Sequence, residues 1–187
     1  MSSSILVSRL SVDDAQAAAT VYVRGMLSHA VHLRIQPLDK RPPIPTQINI
    51  KAQTFRDMLA AGQSRFVKAV VPGEGVAGVA IWMLFDGKKA QLEDENFVRA
   101  LPRERTKEEE AEALVGVDVE LRKQLGATSS ATRDKIMGDS KYWYLSLMVV
   151  DPKYQQQGIG KALLDFLDEQ SEGGRLKWPA LKRGSAR

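Results

Sequence analysis

Apolar positions along the chain fall into short runs, and the spacing within each run sets the element it predicts. Ile5-Leu6-Val7 with Leu10 reads as a first strand. Ser11 then offers a helix cap, Asp13 and Asp14 sit where the helix dipole favours acids, and Ala15, Ala18, Ala19, Val21, Tyr22 and Met26 make a helical stripe up to about Leu27. The stretch from Leu38 to Pro45 is expected to be loop, because Pro42, Pro43 and Pro45 remove backbone donors that helix and central strand both need. A second helix is expected over Ile48 to Ala61, ending at Gly62.

Arg65 to Val71 and Val76 to Phe85, joined by the turn Pro72-Gly73-Glu74-Gly75, form the clearest hairpin, closed by Asp86-Gly87. Residues 91–139 follow as a charged, mainly helical insertion whose Glu108-Glu109-Glu110-Ala111-Glu112 run reads as a solvated helix face. Tyr142 to Val150 is almost continuously apolar, broken only by Ser146, which is the pattern of a strand buried on both faces at the centre of a sheet. Asp151-Pro152 ends it. Ile159, Ala162, Leu163, Phe166 and Leu167 then recur at helical spacing on one face. The sequence shows no internal repeat.

Composition adds exclusions. At 187 residues the chain suits one domain, and 43% hydrophobic against 27% charged residues is a globular balance, not a disordered one. It contains no cysteine, so disulfides, thiolate nucleophiles and cysteine metal sites are excluded. The net charge of +4 is carried by the end of the chain: Arg175, Lys177, Lys182, Arg183 and Arg187 face no acid after residue 172, which leaves residues 1–172 at −1. The body's charge therefore names no polyanionic partner. The start of the chain lacks a basic stretch before its apolar run, and Val76 to Phe85 is too short to span a membrane. A cytoplasmic protein without a membrane partner is expected, with the nucleus also allowed.

The chemistry lies in Val149 to Leu164, where a strand runs into a glycine-bearing turn that opens a helix. Such a turn leaves backbone N–H groups without internal acceptors and points the positive end of the helix dipole at the same place, an arrangement suited to diphosphate. Two well-known phosphate loops fail: a P-loop would need Gly at Gln155 and Ser or Thr at Ala162, and a dinucleotide fingerprint would need a third glycine at Leu163.

Gln155-Gln156-Gln157-Gly158-Ile159-Gly160 resembles the signature of the GNAT family of acyl-CoA-dependent N-acetyltransferases: Gln or Arg, two residues, Gly, one residue, then Gly or Ala. The apolar triplet Met148-Val149-Val150, the Asp151-Pro152-Lys153-Tyr154 bridge and the Ala162-Leu163-Leu164 helix are similar to the family's flanks. The specific part of the resemblance covers 142–167.

The resemblance implies an α/β fold with a mixed, largely antiparallel central sheet flanked by helices. It implies acetyl-CoA as cosubstrate, a primary amine of a small molecule or protein as acceptor, and direct attack within a ternary complex. Backbone groups of Met148, Val149 and Val150 would hold the pantetheine arm like an added strand. With the signature residue Gln155, the amides of Gln156, Gln157, Gly158, Ile159, Gly160 and Lys161 would hold the pyrophosphate, and the Lys161 charge would add to them. On this reading residues 1–172 form the acetyltransferase domain, with its insertion at about 91–139, and 173–187 form a basic, disordered tail.

The family continues past its signature helix with a further strand, a helix and commonly two more strands, whereas Gly173, Gly174, Pro179 and Gly184 argue against such elements here. The last strands and helix of the fold are thus expected to be missing, with the outer edge of Tyr142–Val150 left unpaired. Two competing readings follow: a non-catalytic relative with at most residual CoA binding, and a tail acting as a nucleic-acid arm. A solvated tail is the simpler account of the latter.

Acetyl transfer needs a neutral amine. A lysine-like amine with a pKa of ~10.4 sits ~3.4 units above pH 7, roughly 4.6 kcal/mol of barrier unless some group accepts its proton. No catalytic acid or base is assigned. Tyr142 and Tyr144 read as core, Tyr154 as a brace of the turn, and Asp139 and Ser146 as positions able to hold a proton or a water. His29 and His32 lack a third ligand, so no metal site is expected. Trp82 and Trp143 read as core, and Trp178 has no evident role.

Overall fold

The computed structural model describes residues 5–61, 64–86, 105–138 and 140–172. Four strands, β1 (Leu6–Arg9), β2 (Ser64–Val71), β3 (Gly75–Asp86) and β4 (Lys141–Val150), form one antiparallel sheet in the order β1-β2-β3-β4. Helices α1 (Ala15–Met26), α2 (Ala30–Ile35) and α3 (Ile44–Ala60) lie between β1 and β2. Helices α4 (Lys107–Ala113) and α5 (Val119–Met137) lie between β3 and β4, and α6 (Ile159–Glu172) follows β4. The mixed α/β architecture is the expected one.

Each face of the sheet buries its own core, because side chains alternate across a strand. Phe66, Val79, Ile81 and Val149 pack against Ala15, Ala18, Ala19 and Val21 of α1 and Ala52 and Phe55 of α3. On the opposite face Val67, Ala69, Ala80 and Trp82 pack against Tyr154, Ile159 and Leu163. Two contacts leave no room for a side chain. A Cβ on Gly25 of α1 would lie 2.3 Å from Val149 Cγ2, and one on Gly78 of β3 would lie 2.7 Å from Ile159 Cγ2. The helices on either face therefore sit directly on backbone.

Several expectations are corrected. β4 is an edge strand of the described sheet, not a central one. Tyr144 and Met148 are 37% and 39% exposed, and no described strand pairs beyond them. The apolar run overstates the cover on its two faces and carries no information about the hydrogen-bonded edge. Tyr144 accordingly lies at the surface with the Arg133 guanidinium 5.4 Å over its ring. Trp143 is partly buried beneath Arg65, whereas Trp82 is a core residue.

The proline-rich stretch is only partly loop. Leu38–Lys40 is a 3₁₀ turn, and α3 starts at Ile44 with Pro45 in its first turn. Proline fits there because first-turn N–H groups have no helical acceptor to lose. Helix α2 escapes the pattern reading because it is six residues long; His29 caps it, its Nδ1 accepting from the His32 N–H at 3.4 Å. Ser11 does not cap α1. It donates from both N–H and hydroxyl to Asp14, whose carboxylate also pairs with Lys68 at 2.6 Å.

Two helices stand in the expected insertion, and α4 opens with a capping box between Thr106 and Glu109. Residues 87–104, Asp139 and the expected tail 173–187 with Trp178 lie outside the described residues. No described helix is long and apolar enough to cross a membrane.

Candidate functional site

The end of β4 is locked before the turn begins. Asp151 is buried; its N–H donates to the Ala77 carbonyl at 2.9 Å, and its carboxylate accepts from the Lys153 N–H at 3.0 Å and from Arg24 Nη1 at 3.0 Å. One side chain thereby ties the strand end to β3, to α1 and to the 3₁₀ turn Pro152–Tyr154. Tyr154 is buried, and its hydroxyl donates to Glu74 Oε2 at 2.5 Å. The Lys153 ammonium shares the same carboxylate. These bonds, that from Lys153 foremost, hold the Glu74 carboxyl below its usual range. The turn between β2 and β3 thus braces the turn after β4, a partnership 80 residues apart that no local pattern signals.

Beyond Tyr154 the backbone turns sharply. Gln156 has φ +63 and Gly158 φ +82, and Gln156 is the one non-glycine with positive φ among the described residues. A Cβ on Gly158 would meet nothing within 4 Å, so this glycine answers a conformational need and leaves open space above it. Gly160 lies 3.9 Å from the Met148 Cε by the same measure, an ordinary contact. The first helical bond of α6 runs from the Ala162 N–H to the Gly158 carbonyl at 3.0 Å. Among the described residues none of the N–H groups from Gln156 through Lys161 has an acceptor within the chain. Six donors without an acceptor in the described chain thus stand at the positive end of a fourteen-residue helix, beside the open space over Gly158.

The exposed glutamines of the turn bond back to its backbone. Gln155 Nε2 donates to the Val150 carbonyl and Gln157 Nε2 to the Lys153 carbonyl, both at 3.3 Å. Lys161 is exposed and pairs with Asp165 one turn along α6.

Among the described residues, the strand leading into the turn has no partner on its outer edge. Because Asp151 bonds to Ala77, the antiparallel alternation turns the backbone groups of Val149 and Leu147 toward β3 and those of Met148 and Val150 outward. The sequence triplet thus divides: Met148 and Val150 present N–H and C=O to the outside, and Val149 anchors the strand against α1. The register shifts where Ile81 pairs with Leu147 and Trp82 with Leu145, leaving exposed Ser146 as the extra residue of a β-bulge. Such a bulge bends the strand edge.

A model of the acetyltransferase (GNAT) domain matches residues 75–186, from the start of β3 through the turn and α6. The chain belongs to the GNAT family. Its outer β4 edge, its glycine turn and the N-terminus of α6 all fall inside the matched segment. No curated protein matches the sequence.

Among solved structures, the fold is similar to a tetramutant of the BH1408 protein of Bacillus halodurans at TM-score 0.52, with 13% identity over 92% of this chain and 78% of that one. It is also similar to the histone acetyltransferase HPA2 and related acetyltransferase of Corynebacterium glutamicum, at TM-score 0.48 and 18% identity over 90% of this chain and 72% of that one. A third similarity is to arylalkylamine N-acetyltransferase 2 of Aedes aegypti, at TM-score 0.49 and 14% identity, covering 92% and 73% of the two chains. At these identities the likeness concerns fold.

Proposed function

We propose that this GNAT domain transfers the acetyl group of acetyl-CoA to a primary amine of a small molecule or protein. The observation that carries the reading is the row of six amides, Gln156 to Lys161, at the head of α6, which follow a strand edge and, like it, have no partner among the described residues. The residues fit the cosubstrate. The amides and the helix dipole suit a pyrophosphate, the open space over Gly158 admits it, and the outward N–H and C=O of Met148 with the N–H of Val150, whose carbonyl accepts from Gln155, suit the amide-bearing pantetheine arm.

Acetyl-CoA supplies a thioester that the acceptor amine attacks directly, both being bound together. The chain binds and orients: Asp151, Arg24, Tyr154 and Glu74 fix the turn so that its amides need no rearrangement on binding. The Gln155 bond to Val150 closes the corner between strand and turn.

Calorimetric titration with acetyl-CoA tests this. Saturable binding is expected in the parent chain and is expected to be lost in Gly158→Glu, whose carboxylate stands where the pyrophosphate would sit. Gly158→Asn keeps a residue tolerant of positive φ without adding charge, and it should retain most of the affinity. Equal binding by the parent and Gly158→Glu would refute the assignment. Release of free CoA thiol in a panel of amines then tests transfer itself.

A further inference from the structure

On the α1 side of the molecule a cavity of about 310 Å³ lies between α1, α2, α3 and the α4–α5 segment. Its roof is firmly docked. Gly116 has φ +69, and a Cβ there would fall 2.0 Å from the Lys40 carbonyl oxygen. Asp118 N–H donates to the Ile35 carbonyl at 2.8 Å, and Gln36 Nε2 donates to the Val115 carbonyl at 2.7 Å. The linker between α4 and α5 is thus a docked wall of the cavity, while neither helix itself buries a residue and the Glu108–Glu112 run keeps the solvated face expected of it.

The lining is unbalanced in charge. Lys51, Arg105 and Arg122 face the cavity against one acid, Glu112. Arg105 is neutralised by Asp57 at 3.4 Å and bonds Thr54 at 2.8 Å. Lys51 has no carboxylate partner among the described residues; its Nζ lies 4.1 Å from the centroid of the Tyr22 ring and 5.7 Å from that of Phe55. Arg122 lines the rim on an exposed position of α5, also unpaired. Behind the lining, Arg41 donates to the Gln36 carbonyl at 2.7 Å while its Nη2 is buried without a partner.

The local field agrees with this count. Burial, then Arg122 and Arg105, push the Lys51 amine down to about 8. Burial, then Arg41 and Lys51, lower His32 to about 4, so that the imidazole beside Tyr22 is neutral. A half-buried cation with no counter-ion among the described residues is costly, and an anion brought to it recovers charge-assisted hydrogen bonds.

We propose that this cavity is a binding site for a small molecule bearing a carboxylate or phosphate, seated between Lys51 and Arg122. The site stands apart from the α6 turn and does not depend on acetyl transfer. Aromatic and aliphatic walls of Tyr22, Val23 and Ile35 would enclose the rest of the ligand.

The test is calorimetric titration of the full chain with inorganic phosphate and, separately, with succinate, at constant ionic strength. The same titrations in Gly158→Glu silence the α6 turn. Saturable binding of at least one probe is expected in both chains. Lys51→Met should weaken it tenfold or more, and Arg122→Gln, on an exposed helix position where folding is not at risk, severalfold. Phosphate-only or succinate-accepting binding distinguishes the ligand classes. No saturable heat with either probe overturns the proposal. So does binding that Gly158→Glu abolishes while Lys51→Met and Arg122→Gln leave it intact, since the anion then belongs to the turn.

Discussion

Gly78→Ala is the sharpest test of how the sheet positions the cofactor turn. Position 78 is buried in β3, paired with Ala69 on one side and Val150 on the other, and α6 lies directly over it. The added methyl would stand 2.7 Å from Ile159 Cγ2, 3.1 Å from Leu163 Cδ1 and 3.4 Å from the Val149 carbonyl oxygen. Leu163 can swing its terminal methyl aside. Ile159 cannot, because Cγ2 sits on a β-branched carbon with one favoured rotamer in a helix.

Restoring carbon–carbon contact to its optimum asks the start of α6 to move by about 0.8 Å or more. Replacing a strand glycine by alanine gains ~0.5–1 kcal/mol of chain entropy, and overpacking a core costs ~1–3 kcal/mol, so the net expectation is a loss of about 1–2 kcal/mol. In a chain of this size that lowers Tm by roughly 2–8 °C. Because Ile159 opens the helix whose first amides belong to the proposed cofactor turn, acetyl-CoA affinity should fall alongside.

Urea unfolding followed by circular dichroism measures the loss, and a double-mutant cycle assigns its cause. Ile159→Ala alone should cost ~2–5 kcal/mol as a buried truncation, and in the Gly78→Ala background it should cost about 1 kcal/mol less, because the clash is relieved. A Gly78→Ala chain as stable as its parent, or losses that simply add, would refute the close-approach argument.

Other expectations follow from the same contacts. Asp151→Ala removes the acceptor of Lys153 N–H and the partner of Arg24, and it should cost ~1–2 kcal/mol in urea unfolding; an unchanged midpoint would deny the turn its anchor. Gly116→Ala sets a methyl against the Lys40 carbonyl at a left-handed position, so limited proteolysis should cut the α4–α5 segment faster than in the parent, with the sheet still protected. His32 is lowered to about 4 by burial, so the folded chain binds fewer protons there than the unfolded chain does. Its contribution to stability is complete above pH 6.5 and is lost as pH falls toward 4. Proton NMR titration should place its midpoint well below the ordinary histidine value, and His32→Gln should flatten the acid limb of a stability–pH profile.

The sequence by itself determined the elements whose causes are local. The helical stripe of Ala15 to Met26, the alternating hairpin around Gly73 and the apolar run into Asp151-Pro152 each recur at the predicted place to within a few residues. The glycine turn was legible for the same reason, since its spacing encodes backbone conformation and the φ of +82 at Gly158 is its direct expression.

Tertiary structure decided whatever joins residues far apart in the chain. The pattern of β4 predicted a buried central strand, whereas the strand order made it an edge of the described sheet with Tyr144 and Met148 exposed, and only the register turned the backbone groups of Met148 and Val150 outward and those of Val149 inward. Glu74 looked like a turn residue until Tyr154 reached it from 80 positions away. No local pattern singles out Lys51, whose setting is made by the Tyr22 ring and the cavity that the α4–α5 segment helps to line. Periodicity records how each residue faces its neighbours along one element, whereas partners across the fold are chosen by packing, which the one-dimensional pattern does not contain.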